Sequence, residues 1–190
     1  MKNIFIGMIL IFLNFNVSIG NSTINLFPNF VGYLFMLKGL RELADFSPRF
    51  TNIVPMVKVM VAYSVIVFVM YLFGITTGLA HFIVFIVGII STVVSLYISY
   101  CIIMGAKDIE TAKEQNLESV RLYKLWIVMA VASIFSFFGF LVFAVPLFAI
   151  VMIIGFIVNV IYIFAFYKTQ KLFYIYNQPA DKQEYMEDFT

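Results

Sequence analysis

Apolar residues run along this chain in six long blocks, and the connections between them are alternately uncharged and charged. The blocks cover residues 4–20, 27–43, 57–75, 81–104, 125–142 and 147–167. A helix that crosses a bilayer needs about 20 apolar residues, and an open sheet edge cannot face lipid. The pattern therefore predicts an all-α fold, an integral membrane bundle of six transmembrane helices. Residues 1–171 are expected to form that single domain and residues 172–190 a cytoplasmic C-terminal tail, polar and acidic from Asn177 on.

The cations order the blocks in space. Lys2 precedes the first block, and Lys38, Arg41, Arg49 and Lys58 surround the second connection. Lys107, Lys113, Arg121 and Lys124 fill the fourth connection, and Lys168, Lys171 and Lys182 follow the last block. The connections 21–26, 76–80 and 143–146 carry no charge. Lys and Arg accumulate on the cytoplasmic side of a membrane. Both termini are thus expected in the cytoplasm, with the helices paired as three hairpins that point outward.

The second block strains this scheme. It opens at Pro28, is interrupted by Lys38, Arg41 and Glu42, and is short for a spanning helix. If it did not cross, the alternation of charged and uncharged connections would break. Pro28 suits the start of a helix, where its missing N–H costs nothing. Lys38 and Arg41 suit the last turns, where long stems reach the headgroups. From Pro28 to Leu43 such a helix is only about 24 Å long. An extended stretch over 22–27, shielded by protein in the outer leaflet, is expected to complete the crossing. Gly32 and Gly39 share one face and should pack against a neighbour. The first block has two readings. It is either a helix or a cleavable signal with Lys2, an apolar core over 4–13 and Ser18-Ile19-Gly20 as the small-x-small site.

Composition agrees with a bilayer environment. The chain is 63% hydrophobic and 12% charged, with a mean hydropathy of +1.03. Soluble domains carry about 25% charge, so a water-soluble fold of this size could not hide so much apolar side chain. A net charge of +2 without a basic stripe excludes nucleic acid as the expected partner. The lone cysteine, Cys101, rules out an intrachain disulfide. Abundant Phe, Ile, Asn and Lys fit an AT-rich genome and point to a bacterial cytoplasmic membrane.

Candidate chemistry is sparse. His81 and Cys101 lie twenty positions apart on one block, about 30 Å along a helix, so they cannot form a nucleophilic dyad in one copy. Every Asp and Glu falls in a segment assigned to the cytoplasm, which disfavours a charge-coupled pump. No phosphate-binding loop or nucleophile elbow occurs, and no cofactor or metal is expected. The polar groups that enter the membrane are mild. His81, Gly88, Thr92, Ser95 and Ser99 fall within about 40° either side of one line on the fourth helix. Asn14 and Asn159 add amides on the first and sixth. These seven residues either pack helices together or line a weakly polar cavity open to the outside. The link 105–124, rich in charge, is the longest soluble stretch between blocks and the expected dock for a protein partner.

In topology the chain resembles the membrane-embedded substrate-binding subunits of energy-coupling-factor vitamin transporters. That resemblance implies a bundle of six helices with both termini inside. The Ala-x-x-x-Ala coupling motif of their first helix has no counterpart here. The reading that results is a non-catalytic accessory or complex subunit. Its alternatives are a ligand-binding or transport component for a neutral, aromatic or lipid-like molecule entering from the outer face, and an intramembrane enzyme. The topology has a direct test. With Cys101 replaced, a Lys113→Cys probe should react with an impermeant thiol reagent only after the cells are permeabilised; labelling of intact cells would refute the arrangement.

Overall fold

The computed structural model describes residues 1–12, 16–19, 22–25, 28–73, 79–141 and 145–177. Those residues form α1 (Lys2–Phe12), β1 (Asn16–Ile19), β2 (Ser22–Asn25), α2 (Asn29–Glu42), α3 (Pro48–Leu72), α4 (Leu79–Lys113), α5 (Ser119–Leu141) and α6 (Val145–Tyr176). The chain divides into two compact units, Met1–Ile102 and Ile103–Thr190. Four helical segments are long and apolar enough to cross a membrane: Pro48–Leu72, Ile86–Lys113, Ser119–Ser136 and Ile153–Tyr176. These four point to an integral membrane protein.

The first block departs from expectation. A helix over 4–20 was expected, but α1 is 11 residues long and ends at Phe12. Beyond it β1 and β2 pair antiparallel, with Val17 opposite Ile24 and Ser18 opposite Thr23. The cause is a change of period. Over 16–25 polar Asn, Ser and Thr interleave with β-branched Val and Ile, and Gly20-Asn21 separates the two runs. Pairing satisfies backbone groups that a helix would otherwise satisfy, and β2 also lies against α3.

α1 and α2 run antiparallel at backbone contact. A Cβ on Gly7 would fall 2.5 Å from the Gly32 carbonyl oxygen and 2.9 Å from the Met36 nitrogen. One on Gly39 would fall 2.7 Å from the Ile4 nitrogen. No side chain fits there, so Gly32 and Gly39 pack as their shared face requires. Pro28 is extended (φ −61°, ψ 130°) and caps α2 rather than forming its first residue.

α3 starts earlier than the block at 57–75 and passes through Pro55. Buried Ser47 caps it, its side chain accepting from the Arg49 N–H at 3.2 Å, and Pro48 takes the first helical position. Pro55 leaves only the Thr51 carbonyl without its helical donor, and Thr51 is exposed to solvent. Phe50, Ile53, Val57, Met60 and Ser64 recur every three or four positions and form the buried face. Phe30 meets Phe68 edge-on at 5.6 Å between ring centres, tying the start of α2 to the far half of α3.

In the second unit the link 105–124 is not a free connection. α4 continues to Lys113 and α5 begins at Ser119. Glu114 adopts a left-handed conformation (φ 52°), and the Gln115 N–H reaches back to the Glu110 carbonyl at 3.1 Å, which is the geometry of a Schellman stop. The Asn116 side chain then accepts from the Glu118 N–H at 3.0 Å. Four apolar residues of the link, Ala106, Ile109, Leu117 and Leu122, are buried inside the unit, while Val120 is exposed. An uninterrupted apolar register through Ala106 and Ile109 carries the helix past residue 104. α6 likewise runs to Tyr176, into the segment read as tail, while residues 178–190 lie outside the described residues.

Glycines separate close contact from open space, and this sets a comparison. Gly39→Ala should lower the melting temperature in detergent, since overpacking costs about 1–3 kcal/mol. Gly155 has nothing within 4 Å of its missing Cβ. Gly155→Ala should therefore be neutral or gain up to about 1 kcal/mol of helix propensity.

Candidate functional site

The predicted stripe on α4 is half-buried from Gly88 to Ser99. Thr92 donates to the Gly88 carbonyl at 3.0 Å, and Ser91 donates to the same oxygen at 2.8 Å. Two hydroxyls are thus absorbed by one carbonyl of their own helix, as a low-dielectric setting favours. Gly88 itself faces open space, with nothing within 4 Å of a Cβ. The Ser95 side chain has the Tyr33 hydroxyl of α2 as a neighbour. Ser99 is half-buried on α4. The His81 side chain and Asn14 lie outside the described residues.

Asn159 belongs to the second unit. Its amide donates to the Gly155 carbonyl, one turn back on α6, at 2.9 Å. Ser133 and Ser136 do the same on α5, to Met129 and Ala132 at 2.9 Å each. Buried Ser64 on α3 donates to Met60 at 2.6 Å. Cys101 is a buried free thiol, with the Tyr97 hydroxyl as its neighbour one turn away. Among the described residues no three His, Cys, Asp or Glu side chains gather as metal ligands would.

Two polar clusters occur at the ends that carry charge. On the first unit a groove of about 580 Å³ is lined by Leu34, Leu37, Lys38, Arg41 and Glu42. Lys38 and Arg41 are both exposed, one turn apart on α2. The Glu42 carboxylate is engaged elsewhere: Asn3 donates to it at 2.5 Å. Burial holds the Met1 amine below the usual terminal-amine range, and the negative charge of Glu42 partly restores it. The spacing of Leu34, Leu37, Lys38 and Arg41 along a helix was a sequence signal for this groove; the turning of Glu42 toward α1 was not.

On the second unit Glu118 receives Lys168 of α6 at 2.5 Å and Arg121 at 3.4 Å. The hydrogen bond from Lys168 lowers the Glu118 pKa, partly opposed by desolvation. Glu110 accepts from Ser119 through both the hydroxyl and the N–H, while Lys113 donates to Asn177. Thr169, fully buried, donates to the Leu117 carbonyl at 2.8 Å. Charge and hydroxyl together clamp the α4–α5 turn onto α6.

Because the folded carboxyl of Glu118 is more acidic than the unfolded one, its stabilisation is present above the unfolded glutamate range, about 4.3, and is lost as pH falls through the lower folded value. Glu118 is partly solvated and Lys168 more so, which limits the pair to about 1 kcal/mol. Glu118→Gln should therefore lower the melting temperature slightly at neutral pH, and the gap from the unsubstituted protein should close below pH about 4.

No protein-family model matches the chain, and no curated protein or solved structure matches it.

Proposed function

We propose that this chain is a non-catalytic accessory subunit of a membrane complex, seated in a bacterial cytoplasmic membrane. In this reading it crosses six times, as three outward-pointing hairpins with both termini in the cytoplasm. α3 to α6 make four of the crossings. The other two are composite. α1 is about 16 Å long and a four-residue strand adds about 13 Å, close to a bilayer core of about 30 Å. α2 with β2 reaches slightly further. Pairing of β1 with β2 and the packing of β2 on α3 supply the shelter that non-helical backbone needs at membrane depth. The one-sided placement of Lys and Arg sets the orientation.

The observation that carries the accessory role is the use made of polar side chains within the apolar helices. Ser64, Ser91, Thr92, Ser133, Ser136 and Asn159 each donate to a carbonyl of their own helix. Such groups tune helix shape and packing. Meanwhile Ile90, Val93, Phe135, Phe156 and Phe164 present large apolar surfaces outward. Lipid covers such faces, and so do the helices of a partner.

A second reading rests on Gly88. The open space beside it in the stripe leaves room for a neutral or lipid-like ligand entering from the outer face. Purification of the full chain in mild detergent, followed by mass spectrometry, separates the two readings. A stoichiometric second polypeptide is expected. A tightly held small molecule that is lost in Thr92→Phe, with no second polypeptide, would replace the accessory reading with the ligand-binding one.

A further inference from the structure

We propose that the groove on α2 is a binding site for an anionic phospholipid of the cytoplasmic leaflet. The inference rests on the membrane orientation argued above, which places the end of α2 at the inner headgroups. Its own basis is the composition of the groove. Leu34 and Leu37 form an apolar floor, and Lys38 and Arg41 stand one turn further along the helix. Leu34 is 49% exposed, and Phe35 beside it is also exposed, so the floor continues onto the face turned to lipid. An acyl chain lying on Leu34 and Leu37 would bring its phosphate to the level of the two cations.

The charges favour an anion. Among the described residues neither Lys38 nor Arg41 makes an ion pair, whereas Arg121 and Lys168 on the second unit both engage Glu118. Glu42 lines the groove, but its carboxylate is occupied by Asn3 and lies near the Met1 amine. The end of a helix ordinarily repels anions. Here the terminal carbonyls are capped: the Leu43 N–H reaches Gly39 and Leu40 at 3.2 Å, and the Ala44 N–H reaches Arg41 at 3.3 Å. A guanidinium grips phosphate oxygens in a fork and an ammonium adds a point charge. A zwitterionic lipid carries its own cation beside the phosphate and would compete with Lys38 for it.

The test uses the full chain in detergent with phosphatidylglycerol or phosphatidylcholine added, read by native mass spectrometry. Phosphatidylglycerol should be retained preferentially. Lys38→Gln combined with Arg41→Gln should weaken its retention about tenfold, the scale of one lost charge-assisted contact. Lys38→Arg combined with Arg41→Lys should retain it and guards against misfolding as the cause. Lys171→Gln, a control at another cytoplasmic cation, should change nothing. Equal retention of the two lipids, or unchanged retention in the double Gln variant, would overturn the proposal. Displacement by millimolar inorganic phosphate would overturn it as well, because the pair would then read a soluble anion. Alkaline extraction separates the two levels of argument. Release of the chain from membranes would remove the membrane reading itself, while a membrane-retained chain without lipid preference would remove only this site.

Discussion

Everything at the start of this chain depends on α1 and α2 meeting backbone to backbone. Each helix is too short to cross a bilayer core, so neither has an independent place in lipid. Their contact at Gly7, Gly32 and Gly39 brings carbonyl and amide atoms of facing helices within reach of any added carbon. Such proximity gains dispersion energy where lipid offers no hydrophobic drive for association. It also brings the N-terminus beside Glu42 and directs that carboxylate toward Asn3. Among the described residues Lys38 and Arg41 are left without an ion-pair partner. α2 then hands its orientation to α3 through the capped turn at Leu43–Ser47 and through the Phe30–Phe68 ring contact.

Burial within each unit follows the charged ends. In the first unit Leu40, Leu43, Phe50, Ile53 and Val57 are almost wholly inaccessible, while α3 beyond Ser64 has no buried residue. In the second unit Leu117, Leu122, Phe166 and Thr169 are enclosed, and the described part of α5 beyond Leu122 is half-buried or exposed. Protein thus packs on protein beside the charged turns, where caps satisfy the backbone. Along the apolar lengths of the helices, Ser64, Ser91, Thr92, Ser133, Ser136 and Asn159 fold back on carbonyls of their own helix. That division explains how a chain with so little charge still positions its helices. The few ionic and capping contacts sit at the ends, where they fix the turns.

Much of this was legible in the sequence, and the illegible parts have physical causes. Four apolar blocks became long helices because twenty uninterrupted apolar residues have few alternatives. Gly32 and Gly39 were legible as a packing face because seven positions bring a helix nearly back to its starting side. The β-hairpin was present as a signal, Asn-Val-Ser-Ile-Gly-Asn-Ser-Thr-Ile-Asn, with polar residues interleaved among Val17, Ile19 and Ile24 about a Gly-Asn pair. The hydrophobic run that precedes it masked that period. α3 begins nine residues before the third block because Ser47 caps it and Pro48 suits its first position, while Pro55 leaves only the exposed Thr51 carbonyl without a helical donor. The link 105–124 read as a soluble stretch because its charges are conspicuous and its buried face of Ala106, Ile109, Leu117 and Leu122 is sparse. Of the candidate site, the α4 stripe was legible as a face, but the Tyr33–Ser95 proximity needed knowledge of which helices meet.

The two units engage their charged residues differently. On the second unit Lys168 and Arg121 share Glu118, and Glu110 is held by Ser119. On the first unit the acid is drawn inward by α1, and two cations remain above an apolar floor. The asymmetry does not come from different numbers of charges alone, since Glu42 is adjacent to Arg41 in sequence. It comes from the glycine contact, which turns Glu42 toward the N-terminus. Lys38 and Arg41 are thereby left exposed on α2 beside Leu34 and Leu37.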